Sequence, residues 1–140
     1  MSIKKTVLVV DDAITNIRVL NGILDQDYQV CASTSGAECL LILETVDVHM
    51  LLLDANMPGL DGYSVLRGLR TNSKLRNIPV IMITGDHSAS HELKALQAGA
   101  DDFVAKPVNP DLLKLKISRQ LERVSKEDEL ARLRGQPMGY

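Results

Sequence analysis

The segment His49-Met-Leu-Leu-Leu53 is a short apolar block that is followed directly by an acidic residue, Asp54. Four more blocks of similar length occur along the chain, at residues 6–10, 29–32, 79–83 and 102–105. Three of the five are nearly unbroken hydrophobic runs, a pattern typical of strands that are covered on both faces. The blocks therefore predict five short strands, most of them buried.

Segments with helical periodicity follow the strands. In the first segment, apolar residues share one helix face, at Ile14, Ile17, Leu20 and Leu24. In the fourth segment they recur less regularly, at Leu93 and Leu96. Three helix starts carry capping signals, namely Ser35 with Glu38, Asp61, and Asn109 before Pro110. Five strand–helix units predict a single doubly wound α/β domain, with a five-stranded parallel sheet and helices on both faces.

Length and composition narrow the class of protein. The chain has 140 residues, about one domain, and its 16 basic and 18 acidic residues give a formal charge of −2. We expect no direct nucleic-acid binding, because phosphate binding requires a basic face. No apolar run is long enough to span a membrane, and the N-terminus lacks a signal-peptide pattern. Cys31 and Cys39 are interpreted as reduced packing residues, which favours a cytoplasmic protein.

Polar residues stand where the predicted strands end. Asp11 and Asp12 follow the first strand, Asp54 ends the third, Thr84 ends the fourth, and Lys106 follows the fifth. In a parallel sheet these ends share one edge, where ligands usually bind. Taken alone, Asp12 is better explained as a cap of the following helix. Only the combination of these residues indicates a shared site.

This combination of residues is suited to phosphoryl chemistry on a carboxylate. Three neighbouring acids repel one another unless a cation is bound, and Mg²⁺ prefers oxygen ligands of this kind. Asp54 is then predicted to act as a nucleophile that forms an aspartyl-phosphate. The metal, Lys106 and the Thr84 hydroxyl would each meet one phosphoryl oxygen.

The motifs resemble those of the response-regulator receiver domains of two-component signalling. The resemblance covers about residues 4–122 and rests on four separated stretches: Val9-Val-Asp-Asp12, Leu52-Leu-Asp-Ala-Asn-Met-Pro-Gly-Leu-Asp-Gly62, Ile83-Thr-Gly85 and Gly99-Ala-Asp-Asp-Phe-Val-Ala-Lys-Pro107. It implies a flavodoxin-like strand order, 2-1-3-4-5, and a chemotaxis-type receiver fold.

The resemblance also implies the role of each site residue. Asp54 is the expected phosphoacceptor, and Lys106 and Thr84 assist it. The expected ligands of Mg²⁺ (or Mn²⁺) are Asp11, Asp12, Asp54 and the backbone carbonyl of Asn56. Thr84 and Phe103 are the expected switch pair, although phenylalanine replaces the commoner tyrosine. The bond between Lys106 and Pro107 is expected to be cis.

The function implied is a phosphorylation-activated switch in a bacterial, cytoplasmic signalling pathway. A histidine kinase or phosphotransfer protein would donate the phosphoryl group, and the face built by the fourth helix, fifth strand and fifth helix would pass the signal to an effector. Self-catalysed phosphotransfer and dephosphorylation would be its only enzymatic activities.

Three alternatives to this function stay open. The chain could be the receiver part of a larger regulator with a DNA-binding or cyclic-dinucleotide output domain. It could be an interaction module that works without phosphorylation, although no acid or lysine of the site is lost. A phosphatase with an aspartyl nucleophile is disfavoured, because Asn56 stands where such an enzyme places its acid.

The C-terminal part differs in composition from the rest. Residues 111–140 are basic overall, and Leu113, Ile117, Leu121 and Val124 continue a helical spacing. We predict a receiver domain at residues 1–122 and a helical extension or linker at residues 123–140. The extension is either a solvated helix end or a linker that pairs in a dimer, and a homodimer through the signalling face is the other possibility.

Overall fold

The computed structural model describes residues 3–85 and 88–135, which form five strands that alternate with five helices. The strands are β1 (Thr6–Val10), β2 (Gln29–Ser33), β3 (Met50–Asp54), β4 (Val80–Thr84) and β5 (Asp102–Ala105). The helices are α1 (Ile14–Leu24), α2 (Gly36–Thr45), α3 (Gly62–Arg70), α4 (Ala89–Gln97) and α5 (Pro110–Leu133). All strands pair in parallel in the order β2-β1-β3-β4-β5. The predicted fold class and strand order are confirmed.

Two hydrophobic clusters cover the two faces of the sheet, because neighbouring residues of a strand point to opposite sides. Leu51 and Leu53 of β3 pack with α2, α3 and α4, whereas Met50 and Leu52 pack with α1 and α5. All four of these side chains are fully buried. The unbroken apolar run in β3 therefore reflects burial on both faces.

Two predicted helix faces differ from the observed ones. Ile14 is 58% exposed because it lies in the first turn of α1, beyond the edge of the cluster that Leu20 and Leu24 join. On α4 the buried residue is Ala95, and Leu93 and Leu96 are both about half exposed. Because Ala95 faces the core, Leu93 and Leu96, which lie two positions before it and one after it, point away from the sheet.

The predicted capping residues do cap their helices. Backbone N–H groups donate to the side chains of Ser35, Asp61 and Asn109 at 3.1, 2.8 and 3.0 Å. The capping box at α2 is only half formed, because the N–H of Ser35 donates to the hydroxyl of Ser33 rather than to Glu38.

Helix α5 extends well past the sheet. It contains 24 residues, but its buried side chains, Leu113 and Ile117, lie in its first third. Farther along, Arg123 donates to Asp101 at 3.1 Å, and Leu130 and Leu133 are exposed. Residues 136–140 of the predicted extension lie outside the described residues. Among the residues described, no helix combines the length and the apolar character needed to cross a bilayer.

Neither described cysteine is in a disulfide. Cys39 is completely buried on α2, and Cys31 lies partly buried on β2 against the same cluster. Burial raises the pKa of the Cys39 thiol to about 12. A thiol that stays protonated is a poor nucleophile, so Cys39 serves as a packing residue, as predicted.

Arg70, at the end of α3, forms hydrogen bonds with several segments at the edge of the sheet opposite the predicted site. Its guanidinium donates to the carbonyls of Gly99, Arg76 and Ile78 at 2.9, 2.8 and 2.7 Å, and to the carboxylate of Asp101 at 2.9 Å. The same Asp101 carboxylate accepts the backbone N–H of Val80 at the start of β4. Arg70 therefore fixes the entries to β4 and β5.

Replacing Arg70 with methionine should lower the free energy of unfolding by about 1–3 kcal/mol, because it removes several part-buried hydrogen bonds at once. Urea denaturation measures the change. The matched control is Arg67→Met on the exposed side of α3, which should change stability by less than about 0.5 kcal/mol. Equal losses in the two variants would contradict this role of Arg70.

Candidate functional site

Four strand ends meet at one edge of the sheet. Asp11 directly follows β1, Asp54 and Thr84 are the last residues of β3 and β4, and Lys106 directly follows β5. The register pairs Asp54 with Ile83 and Thr84 with Ala105, so these ends lie side by side. The parallel topology thus brings together the residues that the sequence places at strand ends.

Three carboxylates form the centre of this edge. One carboxylate oxygen from each of Asp11, Asp12 and Asp54 lies within 4.8 Å of the others. Asp11 and Asp54 are buried, at 2% and 3% exposure, whereas Asp12 is exposed. Asp12 does not cap α1, because the N-cap residue is Ala13, whose N–H donates to Asp11 at 2.9 Å.

Lys106 supplies the positive charge at this cluster. Its Nζ lies 3.4 Å from Oδ1 of Asp54 and 3.6 Å from Oδ2 of Asp11. About a third of the Lys106 side chain is exposed, so its amine lies between the buried acids and the solvent. The peptide bond between Lys106 and Pro107 is cis, the isomer that the sequence resemblance implies.

The environment of Asp54 makes its negative charge costly. Burial is the main cause that raises the pKa of this carboxyl, and the nearby charge of Asp11 raises it further. The backbone N–H of Asn56, which donates at 3.3 Å, and the Lys106 ammonium both lower it, but the net shift is upward. An additional cation at this edge would therefore favour the ionised, nucleophilic form of Asp54.

The three acids fit a hard divalent cation. Their oxygens are close enough to share one ion, and the exposed Asp12 leaves a side open where such an ion can keep several waters. Asn56 is exposed and adjacent to the cluster, and the role of its carbonyl as a ligand stays a prediction. The donor set therefore suits Mg²⁺ or Mn²⁺.

Thr84 and Phe103 lie on the same face of the sheet. Thr84 is buried at the end of β4 opposite Ala105, and Phe103 is two residues earlier on β5. Side chains two apart on a strand share a face, and Phe103 is partly buried against the cluster beneath α3 and α4. Thr84 therefore lies between the strand that ends at Asp54 and the strand that carries Phe103.

Two further residues shape the site, and the sequence motifs predict no role for either of them. The amide Nδ2 of Asn16 donates to Oδ2 of Asp11 at 3.1 Å, so both oxygens of Asp11 are held. A Cβ at Gly62 would overlap the carbonyl oxygen of Asp54, so only glycine fits at this start of α3. In the sequence, the feature that could have indicated this role of Asn16 is its position, an amide in the first helical turn after an acidic pair.

Comparison with known proteins identifies the family. The sequence model of the response regulator receiver domain matches residues 7–118. The chain is 36% identical over 125 residues to a probable cyclic di-GMP phosphodiesterase of Vibrio cholerae. This alignment covers 89% of this chain and 28% of that protein. It is 34% identical to the chemotaxis protein CheY of Pseudomonas aeruginosa, over 85% of this chain and 98% of CheY.

A solved structure shows the same fold. The CheY-like receiver domain protein from Methanospirillum hungatei superposes with a TM-score of 0.81 and 32% identity, over 89% of this chain and 99% of that one. The chain spans about half the length of relatives named as probable transcriptional regulators. The fold and the acidic edge are those of a signalling receiver. The chain belongs to the response-regulator receiver-domain family of two-component systems.

Without divalent ions, Asp54→Asn should unfold at a higher urea concentration than the wild type at pH 7, because it removes a buried charge. The folded-state pKa of Asp54 lies above its unfolded value, so ionisation costs stability as the pH rises through this range. The difference should shrink as the pH falls to about 4, near the ordinary pKa of aspartate. Equal midpoints at pH 7 would contradict the prediction.

Replacing Asn16 with alanine should weaken Mn²⁺ or Mg²⁺ binding about 10- to 100-fold, because the Asp11 carboxylate loses the partner that orients it. Isothermal titration calorimetry measures the affinity directly. Asn21→Ala, at an exposed position of the same helix, is the control and should bind like the wild type. An unchanged affinity in Asn16→Ala would show that Asn16 does not orient the ligand.

Proposed function

We propose that this receiver domain is a switch that is activated when Asp54 accepts a phosphoryl group from a histidine kinase or phosphotransfer protein. The observation that carries the proposal is the position of the Lys106 ammonium, 3.4 Å from a buried carboxylate that ends a central strand. Aspartyl phosphorylation with Mg²⁺ is standard for the family to which the chain belongs.

The chemistry follows from the charges at the site. The ionised carboxylate of Asp54 attacks phosphorus, and the donor's nitrogen leaves as the new oxygen–phosphorus bond forms. Asp11, Asp12, Asp54 and the carbonyl of Asn56 would hold the ion, which when bound neutralises the acids and one phosphoryl oxygen. Lys106 stabilises the charge on a second oxygen, and the Thr84 hydroxyl meets a third.

The signal then passes from the end of β4 to the edge strand β5. In this proposal the phosphoryl group draws Thr84 toward it, and Phe103 repacks on the same face. The face that changes is formed by α4, β5 and α5. It exposes four leucines, two on α4 and two on α5: Leu93, Leu96, Leu112 and Leu115. An exposed apolar face of this kind suits a partner protein, an attached domain or a second copy of the chain.

A cavity beside the reactive carboxylate gives the phosphoryl donor a place to dock. It has a volume of about 250 Å³, and Asp11 and Lys106 stand beside a mainly apolar lining. Val19 of α1 belongs to this lining and is 60% exposed, and Ile14 on the same helix is exposed as well. A helix of the donor that covers these residues would bring its phosphohistidine toward Asp54.

The C-terminal half of α5 is proposed to be a linker. Residues 1–122 would form the receiver, and residues 123–140 would connect it to an output domain or pair with a second copy. Relatives named as a phosphodiesterase and as transcriptional regulators are longer than this chain, which supports a cyclic-dinucleotide or DNA-binding output. We propose a cytoplasmic location and no enzymatic activity beyond phosphotransfer to Asp54 and its hydrolysis.

Incubation with Mg²⁺ and acetyl phosphate that is radiolabelled on phosphorus should label the wild type, with acetate as the leaving group, and the label should be acid-labile, as an acyl phosphate is. Asp54→Asn should lose this labelling almost completely, because an amide is not a nucleophile for phosphorus. Asp27→Asn, which alters an exposed acid on another loop, is the control and should keep it. Labelling of Asp54→Asn at the wild-type level would refute the site.

A further inference from the structure

Lys116 of α5 contacts the strand residue that the proposed switch depends on. Its Nζ donates to the backbone carbonyl of Phe103 at 2.8 Å and to the carboxylate of Asp102 at 3.0 Å. The same ammonium lies 5.5 Å from the centroid of the Phe103 ring. One cation thus meets the main chain, the neighbouring side chain and the ring of a single segment.

The position of this ammonium is well defined. Asp102 also accepts the backbone N–H of Phe103 at 2.8 Å, so the carboxylate is held by its own strand. Two of the three donors of Lys116 are directed at fixed acceptors, and only 23% of its side chain is exposed. Because the cation is fixed to β5, its attraction for the Phe103 ring depends on where the ring lies.

We propose that Lys116 is a positioning residue that holds the Phe103 ring in this place and so sets the balance between the two states of the switch. The inference rests on the proposed function, and it adds the contact that opposes the movement of the ring. The proposed switch moves the ring toward Thr84, and in this proposal that movement gives up the contact with the cation. Loss of the cation should therefore favour the other ring position.

The size of the effect follows from the contact. A cation over an aromatic ring near the surface changes an equilibrium by roughly two- to fivefold. A ligand that binds the second state gains apparent affinity by at most the same factor, because less free energy is spent on moving the ring. The expected change is small but measurable by titration.

The chain offers a specific probe, because Phe103 is its only phenylalanine. Protein labelled with 4-fluorophenylalanine therefore gives one ¹⁹F resonance, which reports on this ring alone. In the wild type the resonance should move when beryllofluoride, a mimic of the phosphoryl group, is added with Mg²⁺. The beryllofluoride concentration at half-change measures the balance between the two ring positions.

In Lys116→Met this concentration should be two- to fivefold lower than in the wild type. Lys116→Arg, which keeps the positive charge, should restore it to near the wild-type value. Lys126→Met removes a charge from an exposed position of the same helix, and it should leave the concentration unchanged. If Lys116→Met does not fold, as judged by circular dichroism, Lys116→Gln is used in its place with the same expectation.

An unchanged or higher concentration at half-change in the Lys116 variant would overturn the proposal, even if the resonance of the free protein is displaced. Such a result would mean that Lys116 only stabilises the edge strand. Failure of the proposed function looks different: the wild-type resonance itself would not respond to beryllofluoride. That outcome overturns the inference together with the switch on which it rests.

Discussion

The structure depends on one charge balance, between the Lys106 ammonium and the buried carboxylates of Asp54 and Asp11. Two acids that are almost fully buried would not be tolerated together without a nearby cation. Lys106 supplies one positive charge against three carboxylates, so the site keeps an excess of negative charge that a divalent ion can neutralise. The site is therefore most complete with a metal bound.

The fold separates stability from reactivity. At the edge opposite the acids, Arg70 and Asp101 fix the entries to β4 and β5 through short hydrogen bonds. The apolar strands between the two edges are buried on both faces, so they hold the strand ends at constant spacing. The strands themselves therefore position the reactive groups at the carboxyl edge, without long loops. The turn after Asp54 adds one further constraint, because only glycine fits at position 62 against the end of β3.

Much of this site could be predicted from the sequence, because parallel strands convert a linear order into a shared edge. Asp11, Asp12, Asp54, Thr84 and Lys106 all follow from that rule. Asn16 does not, because its contact depends on the residue at which α1 begins. Lys116 was missed because a lysine on a helix is usually solvated. Leu93 and Leu96 face outward because a small residue, Ala95, packs on the sheet, which periodicity alone does not distinguish.

The most direct test of the central claim is to locate the phosphoryl group chemically. Borohydride reduces an acyl phosphate to an alcohol, which converts a phosphorylated aspartate to homoserine. After treatment with acetyl phosphate and Mg²⁺, peptide mass spectrometry should find homoserine at position 54, and removal of divalent ions should abolish it. Homoserine at position 11 or 12, or at no position, would contradict the account.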